Sequence, residues 1–345
     1  MANIFILLLV AHMVLIGGKL YSSEITLADQ QTDMLDCGLP KISARPQNRA
    51  SNVDIFADAL YWFATETVDW ALILAQNQSE ERITFKTLDF DWSPGFRVGV
   101  GYNMKHDQWD TQFYYTWFYA HTTEHANGGS GVVQSAFLGS KVSDIGTYQT
   151  GKINLNLHFN ILDWDLGRSF FVSKALSLRP LIGIKGGWIN QSIHTKWKKN
   201  TNFLGVPIST TENLKNNFRG IGPKGGVNGK WILGNTHKYF FSLLGDFAGA
   251  FMWGHWTIKD KFQDIFQTTA FTKVRDRNFG ALMLQGLMGI GFDVNFDKDQ
   301  SHFSMKLGYE IEDWFNQYQV FDNATGTHNN DLILQGLTLD MRLDF

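Results

Sequence analysis

The sequence is poor in the features that mark several common protein classes. It has one cysteine, Cys37, and only six prolines. A single cysteine excludes an intramolecular disulfide framework and a cysteine metal cluster. Beyond its first residues the chain has no apolar run of about 20 residues, the length that a membrane-crossing helix needs. The formal net charge is −3, so no basic excess suggests a nucleic-acid partner.

The N-terminus has the pattern of a secretory signal peptide. Ile4 to Gly18 is an apolar stretch too short for a typical spanning helix, and Thr26-Leu27-Ala28 offers a cleavage site, with Gly18 as a second option. We predict a signal peptide over residues 1–28; the alternative is a buried core helix. Residues 29–52 are polar and contain two prolines, which predicts a periplasmic lead-in without a fixed fold.

The remaining chain is rich in aromatic residues and glycine and shows a period of two. The C-terminus is the clearest case, because an apolar row (Leu337, Leu339, Met341, Leu343 and Phe345) alternates with Thr338, Asp340, Arg342 and Asp344. Successive side chains of a strand point to opposite faces. Similar alternation occurs over 92–102, 153–161, 282–296 and 303–311. In each segment, including Ile153 to Ile161, we expect the apolar face to meet lipid.

The length of these segments favours a membrane barrel over a soluble sandwich. Several alternate over ten or more residues, whereas strands of globular proteins typically have about 5–6. Crossing the hydrocarbon at barrel tilt needs about 9–11 residues. Aromatic residues also lie near predicted strand ends, as in interfacial girdles. The sequence therefore predicts an all-β fold, a transmembrane antiparallel up-and-down β-barrel over residues 53–345.

Ten strands can be counted in this barrel. They cover about 53–66, 84–104, 108–122, 149–162, 177–193, 216–232, 238–256, 277–297, 301–316 and 332–345. Tight turns alternate with long segments (123–148, 194–215, 257–276 and 317–331), as expected for periplasmic turns and extracellular loops. An even count places both termini in the periplasm. The segment 163–176 should be a short turn but is long, so it holds a helical turn or the count is twelve. We expect bulges at Pro94, Pro180 and Pro223.

Five phrases of the sequence match one protein family in order along the chain. They are Phe90 to Tyr102, Trp109 with Tyr115 to Phe118, Arg179-Pro180 with Gly187 to Ile189, Gly220 to Pro223, and Tyr309-Glu310 with Trp314 to Gln317. Over residues 53–345 the chain resembles the Legionella-type major outer membrane protein family, which also occurs in Chlamydia-related bacteria. The resemblance implies a pore-forming outer-membrane barrel without catalytic residues. It also implies insertion by the outer-membrane assembly machinery, with the apolar row ending at Phe345 as the signal.

The predicted inward faces carry charges of both signs. We predict as pore-lining Arg97, Lys185, Lys224, Lys230, Asp293, Lys306, Glu310, Glu312, Asp340 and Arg342. Such charges set the selectivity of a hydrated channel. Alternatively they pair with one another and fill the lumen, because ten strands lie nearer the filled size than the aqueous one.

We therefore predict an outer-membrane channel for passive diffusion of small hydrophilic solutes and ions. One alternative is a surface-exposed structural or adhesin barrel with a filled lumen. A less favoured one is an outer-membrane hydrolase using histidines near the outer strand ends (His121, His125, His194, His255 and His328), where general-base chemistry needs a partner within hydrogen-bond reach. We predict no enzyme, cofactor or metal. Expected partners are outer-membrane lipid and lipopolysaccharide, the insertion machinery, small solutes and further copies of the chain.

Overall fold

The computed structural model describes residues 53–77, 80–104, 109–137, 147–173, 175–199, 207–236, 239–263, 269–296, 301–322 and 326–344. Fourteen strands lie in these ranges. They are β1 (Val53–Thr65), β2 (Asp69–Asn77), β3 (Glu80–Thr87), β4 (Ser93–Asn103), β5 (Trp109–Asn127), β6 (Val132–Ser135), β7 (Thr150–Arg168), β8 (Phe170–Phe171), β9 (Leu176–Lys199), β10 (Ile208–Thr236), β11 (Tyr239–Gln263), β12 (Thr269–Phe296), β13 (Ser301–Asp322) and β14 (Gly326–Asp344). The predicted signal peptide (1–28), the lead-in (29–52), Cys37 and Phe345 lie outside the described residues.

Ten strands form a closed antiparallel barrel in the order β1-β4-β5-β7-β9-β10-β11-β12-β13-β14, and β14 pairs back onto β1. The predicted all-β, up-and-down barrel of ten strands is confirmed. Strands β3, β2 and β6 form a separate small sheet, with β2 in the middle. Among the described residues, no helix is long and apolar enough to span a membrane.

The barrel has two distinct ends. At the turn end lie the start of β1 and the end of β14, where Asp54 pairs with Asp344, together with the strand ends that short connections join, such as Asn103 of β4 and Trp109 of β5. At the loop end lie the remaining connections and the small sheet. There Trp70 of β2 packs against Trp197 of β9, with ring centroids 5.4 Å apart.

An apolar belt surrounds the half of the barrel nearer the turn end. On three adjacent strands it covers residues 178–188, 221–233 and 241–253, whose outward positions carry no polar side chain. Ile182, Ile221 and Trp253 are each more than 60% exposed there, at 62%, 63% and 66%. Leu337, Met341 and Leu343 of the C-terminal row also point outward. Segments of this length fit the hydrocarbon thickness at barrel tilt.

Beyond the belt the strands continue, but there the apolar side chains lie inside the barrel and the polar side chains lie outside it. The prediction that Ile153, Leu155, Leu157, Phe159 and Ile161 meet lipid is wrong, because all five point inward and are 0% exposed. The predicted long loops are also largely strand, since β10 and β12 have 29 and 28 residues. Above the belt the outer face meets water, so the apolar row packs inside as in a soluble barrel.

The predicted irregularities also differ from the structure. No register shift occurs at Pro94, Pro180 or Pro223. Pro94 and Pro180 each pair with a neighbouring strand on one side only, because the β4–β5 ladder begins at Gly95 and the β7–β9 ladder ends at Leu181. On the unpaired side a proline has no ladder hydrogen bond to lose. Within the long segment 163–176, the described residues 163–173 and 175–176 form no helical turn. Strand β7 continues to Arg168, and Phe170 pairs with Leu178 to close a strand hairpin.

The inward apolar side chains of β7 should contribute to the stability of the barrel. Leu155→Ala leaves a cavity in the packed interior and should lower the free energy of unfolding by about 2–5 kcal/mol. Lys152→Ala, on the outer face of the same strand, should cost less than about 0.5 kcal/mol. Urea unfolding of both variants in lipid vesicles checks this. Equal costs would show that Leu155 is not packed inside.

Candidate functional site in the lumen

The lumen is the candidate functional site, and the structure places all ten predicted pore-lining side chains inside it. Period-two alternation brings them there from six strands: Arg97 from β4, Lys185 from β9, Lys224 and Lys230 from β10, Asp293 from β12, Lys306, Glu310 and Glu312 from β13, and Asp340 and Arg342 from β14. A role in lining an open pore stays a prediction. What the structure shows is how these charges pair.

One group is centred on Arg97. Its guanidinium donates to Asp58 at 3.0 Å, to Glu310 at 2.9 Å and to the hydroxyl of Thr116 at 3.0 Å. Glu310 also accepts hydrogen bonds from Gln285 at 2.6 Å and from Thr338 at 2.7 Å. Arg97 and Glu310 are thereby paired and multiply hydrogen-bonded, which is the condition for burying such charges.

A second group joins two lysines to three carboxylates. Lys185 lies 2.8 Å from Glu312 and 3.3 Å from Asp163. Lys224 lies 3.0 Å from both Asp163 and Asp165, and its ammonium also contacts the hydroxyl of Tyr114. Sequence reasoning missed Asp163 and Asp165, which continue the inward odd-numbered positions of β7. Reading β7 with its odd positions inside would have found them.

Further ion pairs follow toward the turn end. Arg179 binds Asp110, a pair absent from the predicted set, and donates to Asn228 at 2.8 Å. Asp293 lies 2.6 Å from Lys230 and 3.3 Å from His302. The pairs of Lys306 with Asp340 and of Arg342 with Asp54 are longer, at 3.5 Å each. The cations of these pairs are partly exposed, so the network opens toward water at this end.

An aromatic cap closes the lumen on the loop-end side of the ion pairs. It consists of Trp62, Phe118, Phe159, Phe218, Trp256 and Trp314, all 0% exposed. Phe218 joins Trp256 and Trp314, with ring centroids 4.5 Å and 6.1 Å away. Two of the cap rings lie against the cations, because Arg97 is 5.8 Å from the centroid of Trp62 and Lys185 is 5.9 Å from that of Trp314. Cation–π attraction therefore holds the cap against the ion network.

A buried carboxyl lies in the same loop-end region. Glu66, in the connection after β1, accepts two hydrogen bonds of 2.9 Å from the amide of Gln191, and Asn216 donates to Gln191 at 3.3 Å. Burial raises the pKa of Glu66 to about 8, while the Gln191 hydrogen bonds lower it. The carboxyl is therefore protonated at neutral pH. Neither its position nor its partner was predicted from the sequence.

The inward charges at the cap are shut off from water. Asp163, Lys185, Glu310 and Glu312 are only 1–2% exposed. Chemically, the arrangement can hold a closed lumen. Charges of both signs are also the groups that line hydrated channels.

Three of the histidines considered for hydrolysis contact asparagine side chains. His121, His194 and His255 lie on the outer face and contact Asn156, Asn213 and Asn278 of the neighbouring strands at 2.6–2.8 Å. The side chain of His328 lies outside the described residues. Among the residues that the structure describes, no three His, Cys, Asp or Glu side chains come together as a metal site.

Comparison with solved structures finds distant barrels. The outer membrane protease OmpT of Escherichia coli is 11% identical, with 85% of this chain and 96% of that chain covered and a TM-score of 0.42. A Pseudomonas aeruginosa FadL homologue is 8% identical, with 86% and 90% covered and a TM-score of 0.25. The Pseudomonas putida toluene transporter TodX is 7% identical, with 85% and 89% covered and a TM-score of 0.24. These similarities are too weak to support a function.

Comparison at the level of sequence is more informative than comparison of structures. No curated protein matches the chain at a significant level. Residues 45–345 match the family model described as the Legionella pneumophila major outer membrane protein precursor. The match covers most of the chain and includes every described strand. The chain therefore belongs to the Legionella pneumophila major outer membrane protein family.

Proposed function

We propose that this outer-membrane barrel is a channel for small hydrophilic solutes and ions, and that the described state is its closed state. The observation that carries the proposal is the paired charge of both signs inside the lumen. A barrel built only to be filled is stabilised as well or better by apolar side chains of similar volume. The retained charges are the groups that an ion would use as it crosses.

A filled structural or adhesin barrel is the second candidate. The near-complete burial of Asp163, Lys185, Glu310 and Glu312 favours it, because a porin keeps its lining charges hydrated. The two candidates differ in whether the cap ever opens. Conductance therefore separates them.

We also propose the orientation and the route of assembly. The loop end faces the outside and both barrel termini face the periplasm, in keeping with short turns at one end and longer connections at the other. Residues 1–28 act as the signal peptide. The insertion machinery recognises the C-terminal apolar row, whose described members point outward.

Planar-bilayer recording tests the channel. Purified, folded protein should give infrequent conductance steps, and Trp314→Ala should make open periods more frequent. Truncating a buried aromatic side chain costs about 3–5 kcal/mol, and about 1.4 kcal/mol of that falling on the closed state alone raises the open population tenfold.

Trp231→Ala is the matched control, because Trp231 lies in the outward belt and is 50% exposed. It should leave the open fraction unchanged. If neither the wild-type protein nor Trp314→Ala conducts, the channel proposal fails and the filled barrel is supported.

The ion network makes a second prediction. Arg97→Gln leaves Glu310 and Asp58 buried without their cation and should destabilise the barrel by about 3–5 kcal/mol. The double change Arg97→Gln with Glu310→Gln should recover part of this loss, with a coupling energy of about 0.5–3 kcal/mol. Urea unfolding in vesicles measures the cycle. Lys306→Gln, at a partly exposed pair, should cost less than about 1 kcal/mol. Strict additivity of the two changes would contradict the pairing.

The buried Glu66 predicts a pH dependence. In the folded state its pKa of about 8 lies above the ordinary value of 4.5. Its contribution to stability is therefore complete below about pH 4.5 and is lost as the pH rises through about 8, by up to about 5 kcal/mol. Thermal unfolding at several pH values, read from the gel mobility of unboiled samples, should show this decline.

The Glu66→Gln variant should remove most of the decline, because its amide has no proton to lose in this range. Glu124→Gln, at a half-buried residue of β5, is the control and should keep the wild-type profile. A decline that persists unchanged in Glu66→Gln would assign it to another group.

A further inference from the structure

The outer wall changes character where the apolar belt ends. On β9, β10 and β11 the first polar outward positions toward the loop end are Asn190, Arg219 and His255. His158 lies on the outer face of β7 in the same region. Each strand continues well past these residues. A polar outer wall therefore stands directly above the belt.

This wall is basic and carries no acid. We define the basic wall as the exposed outward cations of these four strands: Lys152, Lys196, Lys198, Lys215, Arg219, Lys259 and Lys261. Over the described residues 150–158, 190–199, 211–219 and 255–261, no Asp or Glu shares this face; the acids of these segments, Glu212 and Asp260, point inward and are buried. The whole chain is slightly acidic, with a formal net charge of −3, so this concentration of positive charge is local.

Two pairs of lysines in the wall stand directly opposite each other. Lys152 of β7 pairs in register with Lys196 of β9, and Lys215 of β10 pairs in register with Lys259 of β11. Like charges directly opposite on one face of a sheet repel and destabilise the pairing. A bound anion offsets that repulsion, so the arrangement fits a surface that binds a negatively charged ligand.

An apolar groove lies just below the wall. It has a volume of about 600 Å³ and is lined by exposed side chains that include Trp164, Ile184, Trp188, Ile221 and Trp253. Gly186 presents no side chain to the groove, and a Cβ there would lie 3.2 Å from Ile221, so the glycine keeps the groove open.

The groove and the wall meet at one residue. Arg219 lines the apolar groove and also a smaller polar pocket of about 250 Å³ formed with Asn217, His255 and Thr257. Arg219 pairs in register with His255 on β11 and with Trp188 on β9. A ligand with an apolar tail in the groove therefore brings its head beside a guanidinium and an imidazole.

We propose that this face binds a phosphorylated glycolipid of the lipopolysaccharide type, with an acyl chain in the groove and its phosphates along the basic wall. Guanidinium groups recognise phosphate by paired hydrogen bonds. Arg219 and Lys215 are four positions apart on β10, about 13 Å along the strand. We therefore expect a lipid with two separate phosphates to engage both residues more readily than a lipid with one phosphate. The location of this lipid in the outer leaflet rests on the orientation proposed above.

Binding is tested with folded full-length protein in detergent and diphosphorylated lipid A as the probe. We expect Arg219→Ala and Lys215→Ala each to weaken binding roughly tenfold, the loss of one charge-assisted hydrogen bond. Gly186→Leu should weaken it by filling the groove. Lys86→Ala, which removes an exposed lysine from β3 in the small sheet, is the control and should change nothing.

A stability readout separates binding from general damage. Without lipid, Lys215→Ala should raise the thermal midpoint, because it removes repulsion with Lys259. With lipid A present, the thermal midpoint of the wild type should rise more than that of the variant. The difference between the two midpoints should therefore shrink or reverse. If lipid A does not bind, or if the Arg219 and Lys215 variants bind it like the wild type, the proposal is overturned.

Two further probes define the ligand class. A phospholipid with a single phosphate that binds as tightly as lipid A would contradict the role of the extended wall. A soluble glycan diphosphate without acyl chains that binds as tightly would contradict the role of the groove. All of these measurements are made in detergent and need no conductance, so a failed channel proposal leaves them readable.

Discussion

Strand β1 pairs with β14 from Asp54 opposite Asp344 to Thr65 opposite Ile333, and this ladder closes the sheet on itself. In hydrocarbon every backbone N–H and C=O needs a partner within the protein, so an open edge is not tolerated. Closure in turn gives every strand an inner and an outer face. With ten strands the enclosed space is narrow, and the inner side chains of opposite walls come within contact distance. Arg97 of β4 thus reaches Glu310 of β13 at 2.9 Å.

The side chains that fill this narrow space differ in kind along the barrel axis. Charges occupy the level of the belt, and aromatic rings occupy the level above it. The two layers depend on each other, because the cap excludes water and so strengthens each ion pair beneath it. Trp62 and Trp314 belong to both layers, since each packs in the cap and lies over a cation. Moving either ring would expose the cation to water.

The period-two pattern was enough to predict the barrel, its ten strands and the inward direction of residues such as Arg97 and Lys224. It was not enough to say which face of a strand is inside once the surroundings change from lipid to water. That is why Ile153 to Ile161 were placed outward and why Asp163 and Asp165 were missed. The pairing of Lys224 with Asp163, 61 positions away, depends on the closed geometry, which alternation in one strand does not contain.

The reversal of faces above the belt also bears on how the molecule is built. In the proposed orientation, the outward lysines and Arg219 must travel through the bilayer before they reach the far side. Each such charge at the middle of the lipid layer costs about 2–4 kcal/mol on a finished barrel wall. A completed barrel would therefore meet a high free-energy barrier to crossing the bilayer. This cost favours passage of the charged strand ends before β1 meets β14 and closes the barrel.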